Sequence, residues 1–138
     1  MRNSWVLFLV VSLGLATSGH ARDIRSYRCD VSPTVSRNKD TTPKWIALEV
    51  NFFSGDAVVS MPGIDGKGTL VSEGRVKRDT DELFSITWRA LVGIGYYRPS
   101  SVLDHRITIQ KATNTGRYRS ENIRGKGNVA GTVRCKRS

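Results

Sequence analysis

From residue 24 onward, apolar side chains recur at every second position in short runs, the spacing that places them on one face of a β-strand. The last run, 128–136, sets Val129, Gly131, Val133 and Cys135 on one side, and the first, 24–31, does the same with Tyr27, Cys29 and Val31. Between them, 45–53 aligns Ile46, Leu48, Val50 and Phe52 against Ala47, Glu49 and Asn51. Segments 57–61, 69–77, 82–92, 102–111 and 117–123 complete the set. In 69–77 the alternate positions Leu70, Ser72, Gly74 and Val76 include small residues, the mark of a bent or bulged strand. Ser54-Gly55-Asp56, Arg78-Asp79-Thr80-Asp81 and Asn114-Thr115-Gly116 are tight-turn signals, as are the glycine-bearing stretches 62–68 and 124–127. Stretches 32–43 and 93–101 read as longer loops.

Sequential strands joined by short turns predict an all-β antiparallel meander. Its economical form is a barrel of about eight strands, with the first and last strands side by side and no free edge. A two-sheet β-sandwich is the alternative. A barrel of that size fills with side chains or holds one small ligand, and the large inward set Phe52, Phe84, Trp88, Ile107 and Ile109 favours filling.

The first 21 residues have a different character. Arg2 supplies a positive start, 5–16 is an almost unbroken apolar run, and Gly19-His20-Ala21 offers small residues where a signal peptidase cuts. The expectation is a secretory signal peptide over 1–21, cleaved after Ala21, and one all-β domain over 22–138. The apolar run falls short of the roughly 18 residues that span a membrane, and the mature chain offers no other. A periplasmic or secreted protein with two cysteines usually pairs them, so Cys29 and Cys135 are expected to form a disulfide. Two buried free thiols are the alternative; a metal site would need more ligands than two cysteines and two histidines supply.

Charge narrows the class of partner. The chain carries a formal charge of +10, and from His105 to Ser138 nine basic residues face a single acid, Glu121, whereas from Asp23 to Asp104 eleven basic residues are matched by eleven acidic ones. Alternation puts Arg117 and Arg119 on one face of their strand, Arg134 and Lys136 opposite Cys135, and Arg106 opposite Ile107. With the apolar faces inward, these five cations form a candidate anion-binding wall, whose alternative reading is a solvated surface. In a cell envelope the matching anions are lipid headgroups, lipopolysaccharide phosphates, acidic glycan or an acidic protein. Nucleic acid is not indicated, because Tyr118 is the one aromatic of this segment and alternates away from its arginines. A second contact candidate is the loop residues Tyr96, Tyr97 and Arg98, of types enriched at binding hot spots; the alternative is that the tyrosines cap a barrel end.

The inventory for catalysis is thin. His105 is the one histidine after residue 21, and its neighbour Asp104 points to the other face of the strand, so the two do not form an oriented acid–base pair. Sharing its face with Leu103 and Ile107, His105 reads as a packed, satisfied side chain. No catalytic motif and no cofactor is indicated, and a monomer is expected. An enzyme would need His105 exposed in a pocket beside an acid.

Tyr27-Arg28-Cys29-Asp30 just after the leader, Cys135 in the last strand and the barrel-like spacing between them resemble the small exported bacterial β-barrels that inhibit C-type lysozymes. The resemblance implies export, a barrel and inhibition of an envelope or host hydrolase as a second function class. That family's inhibitory loop, a Ser-Gly and Tyr segment followed by a Trp-x-Lys-Gly turn, is not matched by 93–101, so no inhibitory residues carry over. A basic inhibitor would also meet repulsion on the generally basic animal lysozymes. The leading reading is an exported, non-catalytic binding protein with an anion-facing wall on its C-terminal strands.

Overall fold

The period-two pattern resolves into an inside and an outside. The computed structural model describes residues 23–34, 42–63, 68–91, 102–122 and 129–138. They form eight strands: β1 (Ile24–Pro33), β2 (Trp45–Asn51), β3 (Asp56–Pro62), β4 (Thr69–Asp79), β5 (Leu83–Leu91), β6 (Val102–Gln110), β7 (Thr115–Asn122) and β8 (Val129–Arg137). Each pairs antiparallel with the next, and β8 pairs with β1, so the sheet is a closed barrel and not a sandwich. The signal peptide expected over 1–21 lies outside the described residues, as do the whole loop 93–101 and the turn 124–127. Among the described residues no helix is long and apolar enough to cross a membrane.

Inward positions are occupied by side chains. Leu48, Phe84, Ile86, Ile107, Ile109 and Tyr118 are each at most 2% exposed, and Phe84 meets the rings of Tyr27 and Phe52 with centroids 5.2 Å apart in both cases. β8 alternates without exception from Val129 to Lys136: Val129, Gly131, Val133 and Cys135 are buried while Ala130, Thr132, Arg134 and Lys136 are exposed. Cys29 and Cys135 are directly opposed across the β1–β8 pairing and joined by a disulfide over a sequence separation of 106.

Several boundaries shift from the sequence-based expectation: β7 begins at Thr115, so Thr115 and Gly116 of the expected turn are paired strand residues, and three other shifts have an identifiable reason. β1 continues through Ser32 and Pro33, which pair with Thr132 and Gly131; a proline is tolerated at a strand end, where no ladder bond requires its missing N–H. β2 stops at Asn51, before Phe52. The Asn51 Oδ1 accepts from the backbone N–H groups of Phe53 and Ser54 at 3.0 and 3.1 Å, and the Asn51 carbonyl accepts from Gly55 N–H at 2.9 Å. That turn is closed by Gly55 at φ 78°, the left-handed region that glycine enters without strain. β4 runs on to Asp79 because its register against β5 shifts between Val76 and Arg78; one extra residue bends the strand, as the small residues of 69–77 predict.

One glycine fixes how closely β6 and β7 approach. A Cβ on Gly116 would stand 1.7 Å from the Thr108 carbonyl oxygen, a backbone atom that no rotamer change can move. Gly116→Ala is expected to cost about 3 kcal/mol or more of stability in urea unfolding. Gly55→Ala, with nothing within 4 Å of the added Cβ, should cost only the left-handed backbone term of about 1 to 2 kcal/mol. Replacing both Cys29 and Cys135 by Ser should lower the unfolding free energy by up to about 4 to 5 kcal/mol, the loop-closure entropy regained by the unfolded chain, measured against the oxidised parent in the same titration.

Candidate functional site

Register turns three separate outward sets into one surface. Arg106 on β6 stands directly opposite Arg119 on β7. Arg117 lies two residues back along β7 and opposite Thr132 on β8, which makes Arg134 its diagonal neighbour; Lys136 is the next outward position. Adjacent members of this staircase are roughly 5 to 8 Å apart at the Cβ level. All five are exposed. Arg28 extends the staircase onto β1, opposite Lys136, with its guanidinium 4.4 Å from the centroid of the Trp45 ring. Arg28 escapes a reading of the sequence because only the β1–β8 register makes it a neighbour of Lys136.

The acids are few and partly engaged elsewhere. Glu121 bonds Arg119 at 2.5 Å, while Asp104 faces outward and accepts from Arg89 Nε at 2.7 Å. Asp30 is the cross-strand neighbour of Arg134. Among the described residues, Arg106, Arg117, Arg134 and Lys136 make no ion pair with a carboxylate. The structure therefore brings the five predicted cations together on neighbouring strands. Tyr96, Tyr97 and Arg98 lie outside the described residues.

Inside the barrel a second cluster forms on β5, β6 and β7, the last two of which also carry the cations. Trp88 on β5 and His105 on β6 are register partners, stacked with centroids 5.2 Å apart and planes 8° off parallel. His105 Nδ1 and the Tyr118 hydroxyl share a hydrogen bond of 2.7 Å. The Nε1 of Trp88 and the Nε2 of His105 are buried with no hydrogen-bond partner among the described residues. His105 is thus packed, as expected, but only half satisfied. Burial holds its imidazole down at about 4, from 6.5, with the nearby Ala90 backbone and the charge of Asp104 acting the other way. Burial likewise pushes the Tyr118 hydroxyl well above the usual phenol range, partly offset by a hydrogen bond with Ser120. At 1% exposure His105 does not reach solvent, and Asp104 is turned away from it. Among the described residues no three His, Cys, Asp or Glu side chains converge as metal ligands.

Comparison of the chain with family models, with curated proteins and with solved structures finds no match.

The buried imidazole makes stability depend on pH with a defined sign. The folded protein favours neutral His105, so its contribution is complete above about pH 6.5 and is lost as pH falls toward 4. The full loss is about 3 kcal/mol at 1.4 kcal/mol per pH unit. Urea unfolding of the parent and of His105→Phe at pH 7 and pH 4 should show a smaller acid destabilisation in the variant by about that amount, carboxylate effects being common to both.

Proposed function

We propose that the chain is an exported, non-catalytic binding protein of the bacterial cell envelope that docks an anionic component on the outer face of β6, β7 and β8. One observation carries the reading: Arg106, Arg119, Arg117, Arg134 and Lys136 form a continuous line of cations across three strands, four of them without a carboxylate partner among the described residues. Folding does not ask for this. Opposed like charges such as Arg106 and Arg119 destabilise a sheet, and threonine would satisfy an outward β position at no electrostatic cost. A counter-charge from outside the chain offsets that penalty. The Cys29–Cys135 disulfide agrees with an oxidising compartment such as the periplasm or the exterior.

Attraction of this kind is electrostatic, so salt is its signature. Binding of the purified protein to anionic envelope extract should fall at least about tenfold between low and high salt. Arg117→Glu combined with Arg134→Glu should abolish it while the melting temperature holds. Retention that neither salt nor the double reversal alters removes the proposal, and capture of an acidic protein alone replaces the envelope component as partner.

A further inference from the structure

Beneath the line of cations, the outer surface carries a groove that crosses β6, β7, β8 and β1. Its floor is the backbone around Gly116 and Val133, where β7 is pressed against β6 by the Gly116 approach to the Thr108 carbonyl. Two rows of outward side chains border it. One runs Thr108, Arg117, Thr132, Ser32 and the other Gln110, Thr115, Arg134, Asp30, each residue the register partner of the next. The first row sets Arg117 among hydroxyls, the second sets Arg134 between the Thr115 hydroxyl and the Asp30 carboxylate, and the two arginines are diagonal, roughly 7 to 8 Å apart.

We infer that the anionic partner is a linear acidic polysaccharide, its anionic groups held by Arg117 and Arg134 and its hydroxyls by Thr108, Thr115, Thr132 and Ser32. This rests on the anion-binding reading above and narrows it. A guanidinium binds carboxylate or sulfate through two parallel N–H donors. A threonine or serine hydroxyl both donates and accepts, as a sugar hydroxyl requires. Asp30 closes the second row beside Arg134, where it accepts from sugar hydroxyls and disfavours an anionic group at the β1 end of the groove. Across four strands the rows run roughly 14 Å at the usual inter-strand spacing, the extent of a short stretch of polysaccharide chain.

Two other anionic partners fit less well. A bilayer surface would reward apolar side chains beside the cations. The large apolar residues exposed among the described residues are Ile24, Phe53, Val58, Val71 and Val102, and none of them lines this groove. An acidic protein would be expected to anchor on aromatic or aliphatic side chains, and the described lining offers only Val133, whose side chain is turned inward.

The test uses the purified, disulfide-bonded protein with four probes: polygalacturonate for carboxylate, dextran sulfate for sulfate, neutral dextran, and vesicles of phosphatidylglycerol and phosphatidylcholine. The parent should bind one or both acidic polysaccharides more tightly than the vesicles, and neutral dextran not at all. Thr108→Val with Thr132→Val keeps charge, shape and strand preference; it should weaken polysaccharide binding roughly tenfold for two lost hydrogen bonds and leave vesicle binding unchanged. Arg117→Gln with Arg134→Gln should weaken all anionic probes. Should the valine pair lower the melting temperature, Thr115→Val alone provides the same comparison. Vesicles bound as tightly as polysaccharide, or polysaccharide binding indifferent to the valine substitutions, overturn this inference and leave the anion-binding reading standing. Indifference of every probe to the glutamine pair overturns both.

Discussion

The pairing of β1 with β8 is the constraint on which the rest of the molecule depends. Seven register pairs, from Tyr27 opposite Arg137 to Pro33 opposite Gly131, bring together segments about a hundred residues apart, with the disulfide in their midst. Closing a loop of that length is entropically expensive, and the covalent bond removes most of that cost from each folding event once it has formed. Closure abolishes both sheet edges, which would otherwise present unpaired N–H and C=O groups to other chains. It also creates an interior. An open eight-stranded sheet could not keep Ile46, Val50, Val59 and Ile107 at zero exposure on one of its faces without a second layer.

The same closure organises the outer surface. Once every strand has two neighbours, outward residues form cross-strand rows that run continuously around the barrel, and a residue's company is set by register more than by position in the chain. Arg28 and Lys136 become neighbours in this way, as do Asp30 and Arg134. The rows around β7 accumulate cations among hydroxyls, whereas the outer faces of β4 and β5 hold Arg75 and Arg89 in ion pairs with Asp56 and Asp104. Exposed pairs of that kind contribute little to stability, yet they neutralise one side of the barrel and leave the net positive field on the other.

Beneath the cations, the interior is not uniformly apolar. Trp88, His105 and Tyr118 stack across β5, β6 and β7, with Ser120 beside them, and bury two nitrogens that find no partner among the described residues. Satisfying one nitrogen of an imidazole while stranding the other is costly in a low-dielectric core, and burial of the same ring depresses its proton affinity. The cluster and the basic face thus lie on opposite sides of β6 and β7, since adjacent residues of a strand point to opposite faces.

Much of this was written in local alternation. Which residues are strand, which face of each strand is apolar, that Arg106, Arg117, Arg119, Arg134 and Lys136 point away from the core, that His105 and Asp104 diverge, and that 69–77 carries an irregularity all follow from a period of two, a property of neighbouring residues alone. The end of β2 at Asn51 and the extension of β1 through Pro33 did not, because a side-chain turn and a distant strand decide them. Nor did the grid of arginines and hydroxyls, the place of Arg28, the need for glycine at 116 or the Trp88–His105 stack. Those depend on register, which is set when the barrel closes and every strand settles against two partners at once; a shift by two residues would preserve the alternation of every strand and rearrange every one of those contacts.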